Sequence, residues 1–172
     1  MKFRFFYIVI ALVLIPFTPV FPDSPLTSTP FSEAYEDLLI IKIAAEANGK
    51  LTTSLMNFLF SRENPIDVKI SVINRLGWNS EGKENSKNFL FYLLMKNNYS
   101  SEDELLKNGS GDELLCLAYL RAMDNYFDVD DAIKYSELAL AKNKESFTFQ
   151  IITALIKAQK STQGLKTWCQ AF

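Results

Sequence analysis

The sequence predicts an all-α protein, built of antiparallel helical hairpins stacked as a short α-solenoid and preceded by an export signal. Three observations predict it. Apolar residues recur at helical spacing, most clearly Leu115, Ala118, Tyr119, Ala122 and Tyr126 at i, i+3, i+4, i+7 and i+11. One layout, Ala118-Tyr-Leu-Arg-Ala122, returns as Ala154-Leu-Ile-Lys-Ala158 at a shift of 36 positions, and a period in the thirties is the signature of a stacked helix-turn-helix unit. The chain also begins with a basic and then apolar leader.

Residues 1–22 read as a signal peptide, with Lys2 and Arg4 as its positive part and Phe5 to Ile15 as its apolar part. That apolar run spans only about 17 Å as a helix, short of a hydrocarbon core of about 30 Å, so a cleaved leader is favoured over a membrane span. Prolines at 16, 19, 22 and 25 crowd the cleavage site. The alternative is an uncleaved anchor over residues 3–21. Residues 23–31 are rich in Pro, Ser and Thr, offer little to bury and read as a linker.

Helices then follow closely through a domain spanning 32–172. Ser32 is placed to cap a helix over Glu33 to Ala47, which Asn48-Gly49 ends. Leu51 to Ser61 forms a second. Asn64-Pro65 opens a third, with asparagine as cap and proline at the first position, and Leu76-Gly77 stops it. Asn85 to Lys96 is crowded with Phe89, Leu90, Phe91, Tyr92, Leu93, Leu94 and Met95, so it is expected near the centre of the domain. Ser101-Glu-Asp-Glu104 and Ser110-Gly-Asp-Glu113 match the capping-box pattern and each start a helix, the first ending at Asn108-Gly109. Asp130 to Ala141 is amphipathic, with Ala132, Tyr135, Ser136, Ala139 and Leu140 on one face. Ser146 to Lys160 opens like a strand, but the repeat decides for helix.

In its Asp112 to Lys160 stretch the chain resembles the tetratricopeptide repeat family. Asp131-Ala132-Ile133 followed by Ala139-Leu140 looks like that family's second helix, and Ala118 fits the small residue of its first. The match covers about one and a third units and implies a turn two residues longer than in the family's period of about 34. Departures are Leu114 in place of the large aromatic, Arg121 in place of the tyrosine and Lys144 in place of the proline. The resemblance implies a stacked helical repeat. Under its period the next partner helix begins near Thr167, so Leu165 to Phe172 is expected either as a minimal cap or as part of a truncated unit, and an unfinished repeat invites oligomerisation.

Composition excludes several function classes. Histidine is absent, which removes imidazole-dependent triads and nearly all catalytic zinc sites. The net charge of −2 becomes −4 once Lys2 and Arg4 leave with a leader, so no basic stripe is left for a nucleic acid. No phosphate loop is present, because Gly77 and Gly82 lack the spacing. No cofactor is implied.

The candidate site residues are few. Asp124, Asp128, Asp130 and Asp131 have oxygen-donor spacing for calcium but lack the loop glycine and the terminal glutamate; helix capping and first-turn acids explain them, and no metal site is assigned. Cys116 reads as a small core residue, with a disulfide to Cys169 as the alternative in an oxidising compartment. Trp78, Tyr99, Tyr126 and Trp168 lie at element ends, and Arg121 and Lys157 occupy equivalent repeat positions. From these, Arg121, Lys157, Tyr126 and Trp78 are taken as a peptide- or protein-binding set. The leading expectation is an exported, periplasmic or secreted, non-catalytic protein-binding module. Alternatives are a small hydrolase or carbohydrate-active domain relying on carboxylates and a structural fragment of a longer assembly. An enzyme calls for convergent acids with a strongly perturbed carboxylate, a binding solenoid for a shallow apolar groove.

Overall fold

A computed structural model describes residues 24–78 and 83–162. Among them a 3-10 turn (Phe31–Tyr35) is followed by α1 (Leu39–Glu46), α2 (Thr53–Phe60), α3 (Ile66–Leu76), α4 (Asn85–Asn97), α5 (Glu102–Asn108), α6 (Gly111–Asp124), α7 (Asp130–Lys142) and α8 (Phe147–Thr162). No strand occurs among these residues, and the protein is all-α. The leader, Trp168, Cys169 and the proposed C-terminal cap lie outside the described residues.

Local chemistry sets most helix ends. Thr52 caps α2 through its hydroxyl, and Ser110 and Glu113 form a complete reciprocal box at α6, with bonds of 3.3 and 2.7 Å. The box at α5 is half formed. Ser101 accepts from the Glu104 N–H, but the Glu104 carboxylate turns to the N–H and hydroxyl of Ser100, which hold its pKa down. Gly77 ends α3 at φ 68°, where a side chain would be strained. Asn98 ends α4 in the left-handed region at φ 55°.

Two expected starts are corrected. The Glu33 to Ala47 helix is broken, with the 3-10 turn ending at Tyr35 and α1 starting after Leu38, which is extended and makes no side-chain cap. Ser32 caps nothing; it is buried, and its N–H donates to Asn74 Oδ1 at 3.0 Å. At α3 the extended residue is Pro65 itself, because the Asn64 amide donates instead to the Phe58 carbonyl at 2.8 Å.

The centre of the domain is α6, not α4. Of the 14 residues in α6, 12 are buried, and the helix packs against α2, α3, α4, α7 and α8. In α4 only Asn85, Phe89 and Leu93 of 13 residues are buried, and Phe91 and Met95 are 65% and 64% exposed. Size explains the exchange: Gly111, Cys116, Ala118 and Ala122 let neighbouring axes approach α6 from several sides, whereas the bulky α4 residues fit one interface. The repeated alanines also differ, since Ala118 and Ala122 are buried while Ala154 is exposed and Ala158 half-buried.

Long-range polar contacts lock the layers. Lys69 of α3 is 1% exposed and pairs with Asp112 of α6 at 2.8 Å. The Asn74 amide donates to the Thr29 carbonyl and the Tyr119 hydroxyl, both at 3.0 Å, and burial pushes the Tyr119 phenol up to about 12. Asn85 is similarly placed, accepting from Leu51 N–H and donating to the Gly49 carbonyl, both at 2.9 Å. Residues 24–30 offer more to bury than their composition suggests, because Leu26 is fully buried and Ser24 hydrogen-bonds Gln159 of α8.

Candidate functional site

An open groove of about 650 Å³ lies where the start of α4, the end of α6, the α6–α7 connection and the start of α7 meet. Its construction begins with Asp124, the last residue of α6. The Asp124 Oδ2 accepts from the Ser86 N–H at 2.7 Å and so caps α4 across the domain, where α4's own Glu84 makes no side-chain cap. Its Oδ1 is buried and has no hydrogen-bond partner of normal geometry among the described residues. Burial raises the Asp124 pKa, against the opposing pull of Ser86, Lys83 and Asn85. Lys83 beside it donates to the carbonyls of Leu76 and Gly77, each at 3.0 Å, and thereby closes the C-terminus of α3. Burial lowers the Lys83 pKa, with Asp124 pulling it back up.

Aromatic side chains border the groove. The Trp78 ring meets Tyr126 edge-on at 5.1 Å, and Tyr126 lies 4.2 Å from Phe127, which is 65% exposed. Tyr126 and Phe127 line the groove itself. The short turn after α6 forces this exposure: it must reverse the chain before Val129, which is fully buried, and leaves Phe127 on the outside.

The basic lining residues are already engaged. Arg121 pairs with Glu102 at 2.8 Å and Asp131 at 3.2 Å, and its guanidinium lies 4.4 Å from the Tyr135 ring centre. Tyr135 donates to Glu102 in the same cluster, and burial, followed by that bond, raises its pKa. Lys87 pairs with Glu84 at 2.9 Å. On the acidic side, Asp130 pairs with Lys160 at 2.8 Å, and Asp128, which accepts the Asp130 N–H at 3.3 Å, adds to the negative field that raises the Lys160 pKa.

Of the residues singled out in the sequence, the groove unites Arg121 and Tyr126, with Trp78 packed on Tyr126. Lys157 is elsewhere on α8, paired with Glu137 at 2.7 Å, and Tyr99 does not line the groove. All four aspartates of the acidic cluster do line it, yet no three metal-ligating side chains among the described residues are grouped to hold an ion. Cys116 is buried, and burial pushes its thiol up to about 12, which makes it a poor nucleophile. A smaller cleft of about 280 Å³ is bordered by Glu36, Glu46, Lys42 and Arg75.

Phe127 and Lys83 went unread in the sequence. Phe127 could have been found from its place between Tyr126 and Asp128 in a turn, where a large apolar residue has no nearby helix face to join. Lys83 left no such signal, because its role depends on carbonyls presented by α3. No protein-family model, curated protein or solved structure matches this chain.

Proposed function

We propose that this chain is an exported helical-repeat module that binds a segment of another protein in the groove between α4, α6 and α7. The observation that carries this reading is the aromatic border of Trp78, Tyr126 and Phe127 beside an open groove, with Phe127 left 65% exposed. A monomer leaves such a ring exposed at the expense of burial, and protein interfaces draw much of their energy from aromatic anchors. The tetratricopeptide-like reading of α6 and α7 is supported by the burial of Ala118, Ala132 and Ala139 in two helices that pack against each other. The export reading rests on Lys2, Arg4 and the apolar run from Phe5 to Ile15; among the described residues no helix is long and apolar enough to cross a membrane.

Selection of random decapeptides displayed on phage tests the binding reading. Enriched peptides should lose binding to Phe127→Asp and keep it with Phe147→Asp, an even more exposed apolar site on α8. Enrichment of nothing, or equal loss with both variants, would refute it. A carboxylate-dependent hydrolase is the second reading, favoured by the acids around the groove and the raised pKa of Asp124. The buried position of Oδ1 and the engagement of Oδ2 as a helix cap weigh against it. Turnover of a chromogenic glycoside or ester panel that is abolished by Asp124→Asn would favour it over the binding module.

A further inference from the structure

We infer that Asn48 is a site of spontaneous covalent modification, where the folded chain loses ammonia and gains aspartate or isoaspartate, and that the fold shields the second site of the same sequence. Asparagine is followed by glycine at two places, Asn48-Gly49 and Asn108-Gly109. Glycine matters because the peptide nitrogen after the asparagine must reach the side-chain carbonyl carbon, and a residue without a β-carbon leaves that approach open. The Gly49 nitrogen gives its proton to water and bonds to Asn48 Cγ. The bond from Cγ to Nδ2 breaks, and Nδ2 leaves as ammonia with a proton taken from solvent. Water then opens the resulting succinimide ring at either carbonyl, leaving aspartate or isoaspartate, in which the main chain runs through the β-carbon.

The two sites differ in what holds the attacking nitrogen. Asn48 is exposed in the turn between α1 and α2, in the left-handed region at φ 50°, and Gly49 follows at φ 76°. Neither the Asn48 amide nor the Gly49 N–H makes a hydrogen bond among the described residues. The Lys83 ammonium lies beside Gly49, 2.6 Å from where a β-carbon on it would sit, and its charge favours the negative charge that develops when this peptide loses its proton. Asn108 is exposed as well, but Gly109 is buried and its N–H donates to the Leu105 carbonyl at 2.7 Å. A β-carbon on Gly109 would come within 2.6 Å of that same carbonyl, so the nitrogen must break a bond and leave a packed position before it can attack.

The change at Asn48 falls where the fold would register it. The Gly49 carbonyl accepts from the Asn85 amide at 2.9 Å, and Asn85 accepts from the Leu51 N–H at 2.9 Å, so this turn fastens the start of α4. Isoaspartate lengthens the main chain just before Gly49 and draws that carbonyl off Asn85.

The test incubates the full chain in mildly alkaline buffer, folded and in urea, and follows both asparagines by peptide mass spectrometry, with a protein isoaspartate methyltransferase to count isoaspartate. In the folded chain the Asn48 peptide should gain about 1 Da. The Asn108 peptide should lag roughly tenfold, the effect of one hydrogen bond that must first open. In urea the two should react at similar rates. Equal rates in the folded chain, a faster Asn108, or an Asn48 that stays intact while the unfolded chain converts would each overturn the inference. The isoaspartate-bearing fraction should unfold at lower urea than fresh protein, and unchanged unfolding would overturn the effect on α4.

Discussion

Helices α4 and α6 carry similarly apolar sequences and meet opposite fates. In α6 the apolar residues are interleaved with Gly111, Cys116, Ala118 and Ala122, and nearly every position is enclosed. In α4 they are Phe89, Leu90, Phe91, Tyr92, Leu93, Leu94 and Met95, and the bulkier run leaves a Phe and a Met facing out. Which helix becomes central is therefore decided by how closely its neighbours can approach, not by how apolar it is. Phe91 and Met95 are surface residues in the described fold, and Lys69 and Asp112 show the converse, charge drawn inward because a partner waits there.

Truncations measured by urea unfolding can break this contrast. The largest effect belongs to α6: Leu117→Ala should cost about 3 kcal/mol through lost burial and the cavity left behind. A loss below about 1 kcal/mol would mean that α6 is not enclosed as described. Next comes Asp112→Ala, which leaves the Lys69 ammonium buried without a partner. About 2 kcal/mol is expected, less than for a fully buried pair because Asp112 is 34% exposed. Lys69→Met combined with Asp112→Leu should recover most of that loss, and failure to recover would show that the pair, not its burial, holds α3 to α6.

Asp124 joins the two helices, and it sharpens the comparison through pH. Asp124→Ala removes the cap on α4 and should cost about 1 kcal/mol. Asp124→Asn keeps an acceptor for the Ser86 N–H and never ionises. Burial holds the wild-type pKa above its ordinary 3.8, so the folded chain keeps this proton to higher pH than the unfolded one. The carboxyl costs nothing below the unfolded value and costs progressively more as pH rises through the folded value. From about pH 4 to pH 7, wild-type stability should thus fall relative to Asp124→Asn. Parallel stability curves for the two proteins would refute the burial argument. The smallest effect is on α4: Phe91→Ala with Met95→Ala should change stability by less than about 0.5 kcal/mol, since both side chains are largely in water. A large loss would mean that this face is covered in solution.

Much of the fold was legible because helix caps and periodicity are local. Ser110 with Glu113, Gly77, and the stripe of Ala132, Tyr135, Ser136 and Ala139 act within a few residues of where they stand. The docking of Ser24 on Gln159 and the partnerships of Asn74 and Lys69 were not legible, because each depends on a group about forty or more residues away. The candidate site divides in the same way. Tyr126, Trp78 and Arg121 drew notice by residue type and position, yet Arg121 proves to be tied to Glu102, Asp131 and Tyr135. Asp124 was read as a possible oxygen donor, and its actual partner, Ser86, lies 38 positions earlier.

The hydrogen bond between Ser24 and Gln159 spans 135 positions, and it bears on how the chain is made. Synthesis delivers the chain from its amino terminus, so Ser24 emerges long before α8 exists to receive it. Until α8 arrives, this segment and its one buried leucine lack their dock, at the stage when a holdase chaperone or a protease would act on them. A segment synthesised early is thus fastened late.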